Sequence, residues 1–356
     1  MQLAATKTGK TMTVKTTCPY CGVGCGVKAT AGKGTETTVA GDESHPANFG
    51  KLCSKGSALG ETTSLEGRLL EPQVDNKVVD WDAALDVVAA GMKRAVELYG
   101  PDRVAFYVSG QLLTEDYYAA NKLMKGYIGS SNIDTNSRLC MSSAVAGYKR
   151  AFGNDIVPAC YDDLEEADLV ILVGSNAAWC HPIVFQRILK AQKADPRKKM
   201  VCIDPRRTPT AEQSDLHIPL KPGTDVLLFN GLLAWLKQNH QLNNEYIASV
   251  TEGFDAALIA AEEQASTIEL VAEGCDVDPA LILELYQWFA ENPKTITLYS
   301  MGVNQSTQGT DKVNSIINCH IATGRVGKPG ASPFSITGQP NAMGGREVGG
   351  LSNMLA

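Results

Sequence analysis

The sequence predicts an α/β protein in which a small cysteine-bound domain, residues 12–67, precedes a larger region of parallel sheets and helices, residues 68–356. Two patterns predict it. From Trp81 onward, short apolar runs that end in glycine or aspartate alternate with stretches of helical period, and strands that alternate with helices build parallel sheets with helices on both faces. Before Trp81 the chain is rich in glycine and threonine and shows little helical period; its landmark is CPYCGVGC at 18–25, answered by GKLCSKG around Cys53.

Cys18, Cys21, Cys25 and Cys53 stand at Cys-x2-Cys-x3-Cys-x27-Cys. Four thiolates hold either a tetrahedral zinc or a cubane iron–sulfur cluster. A zinc ribbon pairs its ligands as two Cys-x-x-Cys knuckles, whereas here three cysteines crowd into one loop and Cys53 has no knuckle partner, which favours [4Fe–4S]. Gly22, Gly24 and Gly26 let the loop wrap closely and turn N–H groups toward sulfur. A bound cluster would give so small a domain the stability its core cannot.

A length of 356 residues predicts two or three domains. With 44% hydrophobic and 20% charged residues the composition is that of a globular protein, and a net charge of −7 argues against a nucleic-acid partner. Ten cysteines without a secretory leader point to a reducing, cytoplasmic setting. No window of about 18 apolar residues predicts a membrane span. Residues 1–17 have no apolar core and no twin arginine and read as a short disordered start, with Met12 a candidate initiator; GGLSNMLA closes the chain without a terminal element, so a fragment is expected.

In chain order, Leu85, Val88, Met92 and Val96 share one face of a helix that Gly100-Pro101 stops. RVAFYV, 103–108, is a strand and EDYYAANKLMKGYIG, 115–129, a helix. DLVILVG, 168–174, and KMVCID, 199–204, are strands separated by the helix HPIVFQRILKAQK. Helices are expected over 225–240, from Asp278-Pro279 through Leu281, Leu285, Trp288 and Phe289, and over 311–323; TITLYSMG, 295–302, is the last expected strand.

Ligands of such sheets bind outside the carboxyl ends of the strands. The residues at those ends are Ser109-Gly110-Gln111, Gly174-Ser175-Asn176, Asp204-Pro205-Arg206-Arg207 and Met301-Gly302-Val303-Asn304-Gln305. Small and amide residues admit phosphates and bond polar rings. None forms GxGxxG, so a simple NAD site is not indicated; such turns are common in loops, and the four together favour a large nucleotide-like cofactor over ordinary loop chemistry. Cys140, in NSRLCMSSA before a helical stretch, reads either as a buried small hydrophobe or as a ligand. The five histidines form no metal-ligand pair, and no Gly-x-Ser-x-Gly supports acyl transfer.

Together with these, SRLCMSSAVAGYKRAFG, GSNAAWCHP, IDPRRT, LKPGTD, MGVNQSTQGTDKVNSIINCHIATG and ITGQPNAMGGREVGG make the sequence after residue 12 resemble the bacterial molybdopterin oxidoreductases that carry bis-molybdopterin guanine dinucleotide, and among them the assimilatory nitrate reductases. The resemblance implies that Cys18, Cys21, Cys25 and Cys53 ligate one [4Fe–4S] cluster, that Lys55 relays electrons between cluster and pterin, and that Cys140 ligates molybdenum. Gln111, Asn136, Gly174, Asn176, Asp204, Arg206, Gly223, Asp225, Met301, Gln305 and Gln339 match pterin-dinucleotide contacts, in agreement with the strand ends. It further implies Rossmann-like subdomains, one interrupting the other, and a C-terminal β-barrel that this chain lacks. Nitrate would be the substrate, and a ferredoxin, flavodoxin or NADH-dependent flavoprotein the electron donor. Arg346 in GGREVGG is a candidate to draw nitrate by charge, or else a surface or cofactor-phosphate cation.

The rival within the resemblance is a formate dehydrogenase. Those enzymes place histidine after the metal-ligating residue and arginine before Gly-Gln-Asn; this chain has Met141 and Thr337. A formate site needs a proton acceptor and a cation for the carboxylate, and neither side chain supplies one. A non-catalytic iron–sulfur relative is the second alternative, against which Cys140 speaks.

Overall fold

The computed structural model describes residues 12–31 and 37–349. The first eleven residues, read as part of a disordered start, and most of the closing GGLSNMLA lie outside them. The chain divides into two compact units, residues 1–138 with 339–356, and residues 139–338.

The first unit opens on an antiparallel sheet of β1 (Thr13–Thr17), β2 (Gly26–Ala31) and β3 (Thr37–Gly41). Thr13–Thr17 therefore belongs to a strand and not to a disordered start; TVKTT is rich in β-branched residues, which suit a pleated surface. A small hairpin, β4 (Gln73–Val74) with β5 (Lys77–Val78), precedes the helix Trp81–Tyr99. Asp80 caps that helix by accepting from the Ala83 N–H, and Gly100 ends it at φ 86°. Met92 and Val96 are half-buried, while Leu85 and Val88 stay exposed. β6 (Phe106–Val108) pairs in parallel with β7 (Ile133–Thr135). Between them the helix Thr114–Asn121 runs on into a wider π-helical turn, Lys122–Ile128, so the single helix expected over 115–129 is composite.

The second unit holds a five-stranded, all-parallel sheet of β8 (Leu169–Val173), β9 (Lys199–Ile203), β10 (Leu216–Ile218), β11 (Thr295–Tyr299) and β12 (Ser332–Ser335). The order is β10-β9-β8-β11-β12. β8, β11 and β12 are buried at every position, and in β8, LVILV, this burial reads as a continuous apolar run rather than an alternating one. The chain steps outward from β8 to one edge, returns through the helices Asp225–Gln238, Asn244–Val250, Phe254–Gln264, Ile268–Cys275 and Pro279–Glu291, and starts again beside β8 at β11. The direction of winding thus reverses between β8 and β11, and a crevice opens where neighbouring connections leave in opposite directions. Leu228, Leu232, Phe289, Ile316 and Ile317 lie in the core that packs against this sheet.

Candidate functional site

In the first unit the cysteine loop is the connection between β1 and β2. The Cys18 N–H donates to the Cys25 carbonyl at 2.8 Å, and Gly24, at φ 64°, makes the reversal. Asn48, absent from the sequence reading, clamps the loop: its Oδ1 accepts from the Gly26 N–H at 2.8 Å, and its Nδ2 donates to the carbonyls of Gly26 and Lys51 at 3.0 and 2.9 Å. It thereby ties the loop to the segment that brings back Cys53. Burial, then the charges of Cys21, Cys18 and Cys53, push the Cys25 thiol up to about 12. Burial likewise raises Cys18 and Cys21, each further raised by Cys53 and pulled back by the Lys55 ammonium.

Cys18, Cys21 and Cys25, each raised by the charge of Cys53, fit a group that binds thiolate and offsets its charge. Among the described residues no three His, Cys, Asp or Glu side chains converge on a single ion; a cubane, with one iron for each thiolate, asks only that the four sulfurs surround it.

Around Gly110 the same unit gathers three of the expected cofactor residues. The Gly110 N–H donates to Asn136 Oδ1 at 2.8 Å, and a Cβ on Gly110 would strike the Gln339 side chain. Gln111 Nε2 donates to the Pro19 carbonyl at 2.7 Å, which joins the β6 end to the cysteine loop. Arg346 lies in the helix Ala342–Glu347 at 5% exposure, so it is no surface cation.

In the second unit the strand ends enclose a cavity of about 590 Å³, a size that suits an organic cofactor. Gly174 and Asn176 follow β8, Asp204 and Arg206 follow β9, Gly223 and Asp225 follow β10, and Met301 and Gln305 follow β11; all eight line it. Gly174 and Gly302 meet backbone to backbone, the Gly302 N–H donating to the Gly174 carbonyl at 3.0 Å, so the two strand ends close up where the winding reverses. Gly223 sits at φ 94° with nothing within 4 Å of the position of a Cβ, which leaves that wall open to a ligand. Asn176 is held by the Thr210 hydroxyl at 2.9 Å, and Asp204 Oδ1 accepts from the Arg206 N–H at 2.9 Å. Lys312 also lines the cavity, 2.6 Å from Asp225. The sequence reading passed over it because nothing in a helix-opening GTDK marks a lysine that turns inward. The mixture of amides, carboxylates and cations fits phosphates and a polar ring system.

Cys140 lies in the helix Ser137–Phe152 with Sγ 3.2 Å from Met301 Sδ and 4.0 Å from the Thr337 hydroxyl. The turn after β11 fixes that helix: Ser143 Oγ donates to the Asn304 carbonyl at 2.7 Å, Asn304 Oδ1 accepts from the Ala144 N–H at 2.8 Å, and Gln305 Nε2 donates to the Leu139 carbonyl at 3.2 Å. His181 Nε2 lies 2.8 Å from the Thr337 carbonyl. Met141 is 3% exposed in the apolar core, and Cys140 and Met301 pack against the margin of that core.

Fold and site together suit a protein that holds an iron–sulfur cluster and a large nucleotide-like cofactor. Residues 68–355 match the molybdopterin oxidoreductase family and residues 11–64 its Fe4S4 domain, and the chain belongs to that family. Its cofactors are those of the family, molybdenum–molybdopterin and a [4Fe–4S] cluster. The chain is 54% identical to a nitrate reductase of Klebsiella oxytoca over 96% of its own length and 39% of the relative's. It is 40% identical to a periplasmic nitrate reductase of Desulfovibrio desulfuricans, with 96% and 47% covered. It is 33% identical to the alpha subunit of an F420-dependent formate dehydrogenase of Methanococcus maripaludis, with 96% and 50% covered. The chain thus spans half or less of the length of these relatives. The acetylene hydratase of Pelobacter acetylenicus shares the fold at a TM-score of 0.75 and 20% identity, covering 86% of this chain and 42% of that one. No helix among the described residues is long and apolar enough to cross a membrane.

Proposed function

We propose that this chain is the cofactor-bearing part of an enzyme that reduces nitrate to nitrite by oxygen-atom transfer. The observation that carries the reading is the position of Cys140, against Met301 Sδ in the unit whose strand ends line the cavity. That is where a soft thiolate would meet a metal carried by a cofactor in that cavity.

In this reading Cys18, Cys21, Cys25 and Cys53 hold the [4Fe–4S] cluster, and Lys55, whose charge already acts on Cys18 and Cys21, lowers the cost of placing an electron beside it. The eight strand-end residues bind a pterin guanine dinucleotide in their cavity, and Gln111, Asn136 and Gln339, which gather around Gly110 in the first unit, are pterin-dinucleotide contacts of their own. When bound, molybdenum supplies the acceptor for the oxygen atom and the electrons for reduction. The protein's own work is to fix Cys140 through the Asn304 and Gln305 bonds and to set an apolar core behind it. Met141 belongs to that core and offers no base, since a thioether takes no proton at neutral pH. Protons for the departing oxygen come from water. Arg346, buried, fits a cofactor phosphate better than capture of nitrate from solvent. The five cysteines left without a metal role, Cys160, Cys180, Cys202, Cys275 and Cys319, form no disulfide, which agrees with a cytoplasmic setting and a soluble reductant such as a ferredoxin, flavodoxin or NADH-dependent flavoprotein.

The identity to nitrate reductases, above that to the formate dehydrogenase, supports nitrate. The test is the purified holoenzyme assayed with reduced viologen and nitrate, and separately with formate and oxidised viologen. Nitrite production without formate oxidation is expected; formate oxidation with no response to nitrate would replace this reading by the formate one.

A further inference from the structure

Cys18, Cys21 and Cys25 share one loop, closed on itself by the Cys18 N–H and the Cys25 carbonyl, whereas Cys53 returns from another segment. The turn over residues 42–53 carries Cys53 back. It lies directly on the start of β2: the Asp42 N–H donates to the Gly26 carbonyl at 2.9 Å, and the Gly50 N–H to the Asp42 carbonyl at 2.9 Å. Glycine is needed for that approach, since a Cβ on Gly26 would strike the His45 ring and one on Gly41 the Gly50 carbonyl.

Asn48, 2% exposed, is the side chain that spans the two segments. Gly26, whose N–H and carbonyl it both engages, follows Cys25 directly; Lys51, whose carbonyl takes its other N–H bond, stands two residues before Cys53. Both amide donors of Asn48 are thus used on backbone beside a cluster ligand. An asparagine that only finished its own turn would need the Lys51 bond alone. The two bonds to Gly26 fix the three-cysteine loop against the returning segment.

We propose that Asn48 is a positioning residue for the iron–sulfur cluster, holding the Cys53 segment against the three-cysteine loop so that the iron bound by Cys53 stays in place when the cluster is oxidised. The inference rests on the reading of the four cysteines as the ligands of [4Fe–4S]. Three irons have their thiolates on one loop, and the fourth depends on the hold between two segments, so loss of the clamp frees one corner rather than the whole group. In that step the Cys53 Sγ–Fe bond and the bonds from the same iron to its bridging sulfides break. The iron leaves as Fe²⁺, Cys53 takes a proton from water, and one electron passes to the added oxidant, so that a [4Fe–4S]²⁺ core becomes [3Fe–4S]⁺.

The test treats wild-type and Asn48→Ala holoenzyme, under anaerobic conditions, with one equivalent of ferricyanide. A chelator reads the iron released, and electron paramagnetic resonance reads the three-iron cluster, whose oxidised form is paramagnetic while that of the four-iron cluster is not. Val39→Ala, which loosens the packing of β3 on residues 59–63 and leaves the clamp intact, is the control. Asn48→Ala should release about one iron per chain and give about tenfold or more the three-iron signal of the wild type. Iodoacetamide followed by mass spectrometry should then find Cys53 alkylated, with Cys18, Cys21 and Cys25 protected. Val39→Ala should behave as the wild type.

An Asn48→Ala protein that keeps its four irons as the wild type does, that loses all of them together without a three-iron signal, or that frees another of the four cysteines would overturn the proposal. So would an equal signal in Val39→Ala. Should Asn48→Ala take up no cluster, the wild type in excess ferricyanide decides the matter: Cys53 should be the first of the four to be alkylated, and prior release of another, or of all four at once, would overturn the proposal. A wild-type holoenzyme that holds zinc and no acid-labile sulfide would strike instead at the reading of the four cysteines.

Discussion

Lys312 Nζ lies 2.6 Å from Asp225 Oδ2, and both residues are buried in the wall of the strand-end cavity. Removing one partner of such a pair strands the other charge, at a cost of ~3–5 kcal/mol. Lys312→Met should therefore destabilise the second unit by about that much, whereas Lys312→Met combined with Asp225→Asn should regain most of the loss. Urea denaturation of both variants followed by circular dichroism checks this. Equal losses in the single and the double variant would mean that the charges are not coupled.

Lys55 lowers the proton affinity of Cys18 and Cys21 through its charge. Lys55→Met keeps most of the side chain's length and packing and removes that charge. Iron and molybdenum contents should stay as in the wild type while electron transfer from cluster to molybdenum slows about tenfold or more, roughly a 1.4 kcal/mol rise in barrier. Stopped-flow reduction reads this directly, and an unchanged rate would return Lys55 to the role of a solvated lysine.

A Cβ on Gly302 would come within 2.6 Å of Gly174 Cα and 3.0 Å of the Gly174 carbonyl oxygen. Backbone cannot yield as a flexible side chain does, so Gly302→Ala must part the ends of β8 and β11. The expected outcome is a protein with its full complement of iron and a severalfold loss of molybdenum, read by elemental analysis. Retention of molybdenum would show that the cofactor does not depend on that close approach.

His320 is fully buried, 2.8 Å from the Thr297 hydroxyl and edge-on to Phe289. Burial, then the Arg325 charge, holds its pKa well below the ordinary imidazole range. The unfolded chain takes a proton near pH 6.5 and the folded one does not. The stability this residue allows is thus complete above about pH 6.5 and falls as the pH drops from there toward the lower folded value. Between about pH 6.5 and 5, denaturation midpoints of His320→Gln should fall less steeply than those of the wild type. Parallel slopes would contradict the assignment.

Much of the second unit was legible because burial on both faces writes itself as a continuous apolar run. Leu169–Val173 and Lys199–Ile203 are such runs, each closed by a glycine or aspartate that lines the cavity. Gly174, Asn176, Asp204, Arg206, Met301 and Gln305 follow the carboxyl ends of strands, where a crevice is expected, and all six line the cavity. What escaped was short or peripheral. Leu216–Ile218 and Ser332–Ser335 are edge strands, each hydrogen-bonded to one neighbour only, and Pro333 in the latter is a residue that normally argues against a strand. The helices Asn244–Val250, Phe254–Gln264 and Ile268–Cys275 are too brief for their period to stand out. Asn48 and Lys312 matter through partners far away in sequence, Gly26 and Asp225, and no local pattern announces such pairs.

Cys140 is the residue on which the account turns, and its replacement by serine is the most direct measurement. Nitrate reduction by viologen should be followed in wild-type and Cys140→Ser holoenzyme, with iron determined in the same samples. The account predicts four irons per chain in both proteins and turnover lowered by at least a thousandfold in the variant, or about 4 kcal/mol of lost transition-state stabilisation. Turnover that survives the substitution at near wild-type rate would contradict it.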